Sequence, residues 1–160
     1  MWAFLFLAMQ PFWQWWAMFI FLWRFYSREL HNPLSYLEIF CGFLCFHFAS
    51  YYWVGFPIAE KMQLGLLVGL IPGLFAATIH TFLFLFCVKL RREFLNQLMP
   101  AYLAWPGMWL VFECLKEWML GGFPWGNIAL SQVDAFFAPL LFATIGPIGV
   151  CAFVCLVSAL

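Results

Sequence analysis

The stretch MQLGLLVGLIPGLFAATIHTFLFLFCV, residues 62–88, runs for 27 positions without a formally charged side chain and is followed at once by Lys89, Arg91 and Arg92. A hydrocarbon core about 30 Å thick takes about 20 apolar residues in a helix, so this run can cross with length to spare. Four further segments, 2–23, 34–56, 98–120 and 135–160, have the same character and are joined by short connections. Composition agrees: 67% of residues are hydrophobic, 23% aromatic and only 9% charged, with a mean hydropathy of +0.96. A soluble domain carries about 25% charged residues. The fold class that follows is all-α, a polytopic integral membrane helix bundle with about five apolar segments occupying residues 1–160 as one transmembrane domain. No soluble domain and no internal repeat is present. The solvent, and the first partner, is membrane lipid.

Formal net charge is zero and no basic run occurs, which excludes a nucleic-acid partner. A retained span rather than a cleaved signal peptide is expected at the N-terminus, because the first charge is Arg24, after 23 uncharged residues. Arg24 and Arg28 follow the first segment and Lys89, Arg91 and Arg92 the third, and such clusters stay cytoplasmic. The connections around Lys61 and over 121–134 therefore face outward. Gln10, Pro11 and Gln14, among Trp13, Trp15 and Trp16, read as an interfacial turn, which would make residues 1–9 the stump of a helix. Pro72 and Gly73 predict a break in the third segment.

Charges inside spans need a partner or a watery cavity, since each costs about 2.5–3.5 kcal/mol at a helix centre. Glu113, Lys116 and Glu117 stand near the outer end of the fourth segment at spacings of three and four, which puts Lys116 against Glu113 with Glu117 on the same side. Two readings stay open, an interfacial ion pair and a polar site lining a cavity. Gly121, Gly122, Phe123, Pro124 and Trp125 then form a helix-ending aromatic turn, and Ser131, Gln132 and Asp134 add polar groups before the last segment. His47 and His80 lie mid-span, where a neighbouring hydroxyl or carbonyl can satisfy a neutral imidazole. Glu38 snorkels or pairs with a nearby base.

The six cysteines lie in apolar segments and include no C-x-x-C pair, so neither a disulfide framework nor a metal site is indicated. Cys41/Cys45 and Cys151/Cys155 are spaced i,i+4 but lack completing ligands. No G-x-S-x-G elbow, H-E-x-x-H helix or phosphate loop is present, and nothing identifies a nucleophile, so no catalytic residue is assigned and no cofactor is called for.

The block PGMWLVFECLKEWMLGGFPWGNIALSQVD, residues 106–134, resembles the membrane domain of apolipoprotein N-acyltransferase, with Pro106, Trp109, Glu113, Lys116, Gly122, Phe123, Pro124, Trp125, Ser131, Gln132 and Asp134 on the family's pattern. The QPFW turn at 10–13 and the Trp-Val at 53–54 resemble its upstream features, while Leu130 and Glu117 depart from it. The resemblance implies a bacterial inner-membrane protein whose loop 121–134 is periplasmic. It implies as partners a phospholipid acyl donor and a diacylated apolipoprotein. It also implies a nitrilase-like catalytic domain with a Glu-Lys-Cys triad that this chain does not include, so the 160 residues alone are expected to be inactive. The substrate-binding or supporting residues implied are Glu113, Lys116, Phe123, Pro124, Trp125, Gln132 and Asp134. The alternatives are a small lipid or solute transporter built on Glu113, Lys116 and Asp134, and a structural membrane subunit.

Overall fold

A backbone in lipid must satisfy its own N–H and C=O groups, and with this composition the helix is the conformation that does so. The computed structural model describes residues 1–8, 14–63, 65–119 and 126–160. Among the described residues every regular element is helical. In chain order these are α1 (Trp2–Leu7), α2 (Trp15–His31), α3 (Tyr36–Tyr51), α4 (Gly55–Lys61), α5 (Leu66–Gly69), α6 (Ile71–Leu90), α7 (Asn96–Leu98), α8 (Ala101–Trp118) and α9 (Ala138–Val157). Short 3₁₀ turns, Tyr52–Val54 and Ile128–Gln132, and a π-helical turn, Arg91–Leu95, complete them.

Several boundaries have a local cause. Ser35 and Glu38 form a capping box: the Glu38 N–H donates to Ser35 Oγ at 3.1 Å and the Ser35 N–H to Glu38 Oε2 at 2.9 Å. Glu38 also lies 4.0 Å from Arg28. Pro72 falls in the first turn of α6, where a missing N–H costs nothing, so the break comes at Leu70 rather than at Pro72 and Gly73. In α9, Gly146 has φ 67° and ψ 179°, just ahead of Pro147, which disfavours helical backbone in the residue before it. Only glycine adopts that conformation without strain.

Among the described residues three runs are long and apolar enough to cross a membrane: Tyr36–Lys61, Leu67–Leu98 and Ala138–Val157. The expected count of about five is therefore not reached. α2 and α8, with 17 and 18 residues, fall short because each carries three charges in its second half: Arg24, Arg28 and Glu29, and Glu113, Lys116 and Glu117. The expected first segment, 2–23, is also two elements. The chain reverses between α1 and α2, closed by the Gln14 N–H on Leu7 O at 2.9 Å, and α2 continues past Trp23 to His31. The turn residues Gln10, Pro11 and Trp13 lie outside the described residues.

The core is aromatic and joins four helices. Phe43 of α3 stacks on Phe84 of α6 with centroids 3.9 Å apart. Phe25 of α2 meets Trp105 and Trp109 of α8 edge-on at 5.3 and 5.9 Å. Such offset and edge-to-face pairs add about 0.5–1.5 kcal/mol each beyond area burial, which matters in lipid, where burial of apolar surface gives little drive. Small residues bring the outer hairpin together. A Cβ on Gly69 would lie 2.6 Å from Gly55 O, and one on Gly73 would lie 3.0 Å from Tyr51 O. The spacing Gly69-x₃-Gly73 is the close-packing pattern of membrane helices, and it is legible in the sequence.

Candidate functional site

α8 carries the charges that decide the site. Glu113 and Lys116, one helical turn apart, both point into the bundle, with 2% and 0% of their surface exposed. Lys116 Nζ sits 2.6 Å from Glu113 Oε2 and has no hydrogen-bond acceptor among the described residues beyond this contact. The pair is thus buried, not interfacial. The ammonium also lies 5.5 Å from the centroid of Phe112 and occupies the last turn of α8, where the helix dipole favours a cation. Glu117 stays half-buried and outside the pair.

The other carboxylate oxygen reaches across to the chain beyond α8. Glu113 Oε1 accepts the Ile128 N–H at 3.3 Å, at the start of the 3₁₀ turn Ile128–Gln132. That turn is rich in its own polar closures. Asn127 caps it by accepting the Ala129 N–H at 2.8 Å, and Ser131 Oγ donates to Ile128 O at 2.7 Å. Gln132 Nε2 donates to Ser131 Oγ at 2.8 Å and to Trp15 O at 3.1 Å, which ties the turn to the first residue of α2. Gly126 has φ +74° and faces α3, where a Cβ added to it would lie 3.5 Å from Tyr51 Oη and 3.8 Å from Ser50 Cβ. One short segment therefore contacts the ends of α2, α3 and α8.

Beneath it lies a second buried polar layer between α3 and α6. His47 Nδ1 and Thr81 Oγ1 are 3.1 Å apart, and Thr81 Oγ1 donates to Ala77 O at 2.8 Å, so the imidazole is the donor to the threonine. Tyr51 Oη and His80 Nδ1 are 2.8 Å apart. Lys116 is near enough to act electrostatically on both histidines, and Glu113 on Tyr51. The mid-span histidines thus have hydroxyl partners, as their position in the sequence requires.

Of the sequence candidates, Glu113, Lys116 and Gln132 come together. Asp134 is exposed and stands apart, and Phe123, Pro124 and Trp125 lie outside the described residues. Sequence reasoning missed Asn127, whose signal is an N-cap residue ahead of a short helical turn. It also missed Glu29, an acid among the basic residues at the far end of the bundle. Glu29 is buried, is held at 2.7 Å by both contacts from Arg92 Nη2, and accepts the Leu34 N–H at 3.0 Å. Among the described residues no cluster of three metal-ligating side chains forms. The arrangement can hold charge and fix a loop, but it offers no activated nucleophile: Cys114 is half-buried on α8, beside the pair in sequence but on other faces.

Comparison with known proteins gives the family context. The profile of the apolipoprotein N-acyltransferase N-terminal domain matches residues 3–160. A protein named apolipoprotein N-acyltransferase from Vibrio parahaemolyticus serotype O3:K6 (strain RIMD 2210633) is 34% identical over 111 residues, covering 66% of this chain and 19% of that protein. Its namesake from Vibrio vulnificus (strain CMCP6) is 32% identical over 106 residues, with the same coverages of 66% and 19%. The chain spans about a fifth of the length of the curated relatives it matches. No solved structure matches it significantly.

The buried pair generates a non-additive stability prediction. Glu113→Gln keeps an acceptor for Ile128 but strands the ammonium, so it should lower unfolding free energy in detergent by about 3 kcal/mol. Lys116→Met should do the same by stranding the carboxylate. The double variant should recover most of the loss. Losses that simply add would mean two independent charges.

Proposed function

The chain belongs to the apolipoprotein N-acyltransferase N-terminal domain family, and on that premise we propose that it is the membrane portion of such an enzyme, supporting a catalytic part that lies outside these residues. In the whole protein, an acyl group leaves a phospholipid for a cysteine thiol, giving a thioester and a lysophospholipid. The amino group of a diacylglyceryl-cysteine then takes the acyl group as an amide and frees the thiol. Nucleophile and base belong to the absent part. A thiol enclosed in an apolar helix is a poor nucleophile, because surroundings of low polarity oppose formation of the thiolate.

What this portion contributes is position. The Glu113–Lys116 pair, Asn127 and Gln132 hold the segment after α8 against three helix ends, and the residues of the GFPW turn, Gly122 to Trp125, are covalently next to it. A rigid rim at that end of the bundle suits a surface on which a headgroup or a catalytic domain has to be placed to within a fraction of an ångström. In this reading Phe123, Pro124, Trp125 and Asp134 are the residues that meet lipid or protein substrate. Glu113, Lys116 and Gln132 position them. The supporting observation is the family match across nearly the whole chain. The transporter alternative has no comparable support.

The orientation proposed is that of a bacterial inner-membrane protein with loop 121–134 in the periplasm. It rests on Arg24, Arg28, Lys89, Arg91 and Arg92 gathering at the opposite end, against Lys61 alone in the connections at this one.

Two outcomes check the proposal. The chain is joined to the remainder of the Vibrio parahaemolyticus relative, in place of the stretch it matches, and mixed with phospholipid and a diacylated lipopeptide. Mass spectrometry should then detect the added acyl chain, while the 160-residue chain alone should add none. A folded chimera without activity, or an active chain alone, contradicts the proposal. For orientation, the exposed positions Asp134 and Gln97 are each replaced by the sole cysteine. An impermeant maleimide added outside spheroplasts should label position 134 and not 97. The reverse pattern inverts the topology.

A further inference from the structure

The end of the bundle opposite Glu113 holds a surplus of positive charge. Three cations there have carboxylate partners: Arg92 on Glu29 at 2.7 Å, Lys89 at 3.9 Å from Glu93 and Arg28 at 4.0 Å from Glu38. Arg91 and Arg24 have none within salt-bridge distance among the described residues. Each lies over an aromatic ring instead, Arg91 at 4.1 Å from Trp105 and Arg24 at 5.6 Å from Phe4. Arg91 is enclosed, whereas Arg24 is exposed and faces a groove.

That groove, about 450 Å³, lies between α2 and Met1 and is lined by Trp23, Arg24, Ser27 and Arg28 among others. His31 also borders it, but its Nδ1 is taken by Ser27 O at 2.9 Å. The one acid within reach, Glu38, is already engaged by the Ser35 N–H and hydroxyl and by Arg28. The groove is thus a cationic recess short of an anion. On the other side of Trp23 a second groove of about 240 Å³ runs between α2 and α9, lined by Phe19, Ile20, Val157 and Ser158. Trp23, itself 56% exposed, borders both.

We propose that Arg24 and Arg28 hold the phosphate of an anionic phospholipid, with one acyl chain of the same molecule lying in the apolar groove beyond Trp23. Charge and shape both point to this occupant. Two guanidiniums present fixed donor forks that match phosphate oxygens. An indole at headgroup depth separates the polar recess from the hydrocarbon one, as interfacial tryptophans do. A free phosphate would fill the first groove and leave the second to bulk lipid. A single phospholipid satisfies both. Basic pockets at the cytoplasmic end of membrane helices take anionic headgroups in this way.

Native mass spectrometry tests the assignment through lipid retention, which does not depend on acyl transfer. The purified chain is equilibrated in detergent with equal amounts of palmitoyl-oleoyl phosphatidylglycerol and phosphatidylcholine. The wild type should retain phosphatidylglycerol about fivefold or more over phosphatidylcholine. Arg24→Gln removes an exposed guanidinium that lies over the Phe4 ring, and Ser27→Glu supplies a carboxylate within the recess. Each should bring the ratio near one. Lys89→Gln, a cation already paired at the same end, should leave it unchanged, and millimolar inorganic phosphate should not displace the lipid. The proposal fails if Arg24→Gln keeps the wild-type ratio, or if Lys89→Gln loses as much, which would mean diffuse attraction. It fails equally if phosphate displaces the lipid, which would mean a free-anion site. A wild type with no preference would assign the groove to other polypeptide.

Discussion

A charged group in a bilayer has to be neutralised by a partner inside the protein, and in this chain that requirement falls on Lys116 and Glu113. Either alone would cost several kcal/mol in so apolar a bundle; side by side at 2.6 Å they form a neutral unit. Only one oxygen of the carboxylate is used by the lysine. The other accepts the Ile128 N–H, so the requirement that neutralises a charge also gives a buried backbone donor its acceptor. The turn that follows has to sit where Glu113 can reach it. From that follow the approach of Gly126 to Tyr51 and the reach of Gln132 to Trp15.

The two ends of the bundle solve the same problem differently. At the Glu113 end the pair belongs to one helix and its spare capacity goes to a loop. At the other, Glu29 of α2 takes Arg92, which lies just beyond α6, and the same guanidinium donates to Leu34 O at 2.8 Å ahead of α3. That contact staples three elements. The aromatic layer between the ends is built around Phe43 and Phe84, with Trp109 packed against both rings. Stability thus comes from rings in the middle and from paired charges at the rims.

Much of this was legible in the sequence. The run 62–88 and the sparse charges pointed to membrane helices, and spacing alone paired Glu113 with Lys116. What it could not supply was depth and partner. Lys116 two residues before the end of its helix reads equally as interfacial or buried, because burial depends on which helices pack on that face. Gln132 and Asp134 look alike as polar residues before a span, yet one is buried on Trp15 and the other exposed. Hydropathy alone makes residues 2–23 one apolar length, and it is Gln10, Pro11 and Gln14 among the tryptophans that read as a turn within it. The Glu29–Arg92 contact joins residues 63 positions apart, and nothing local announces it.

The central claim, that a buried carboxylate on α8 holds the segment after it, is tested most directly by amide hydrogen exchange at Ile128 in the detergent-solubilised or nanodisc-embedded protein. The account predicts slow exchange at Ile128 in the wild type and acceleration in Glu113→Ala, with the amide of Gly73 within α6 unchanged as an internal reference. Exchange at Ile128 as fast in the wild type as at the exposed Gln63, or equally slow with and without the carboxylate, would contradict it.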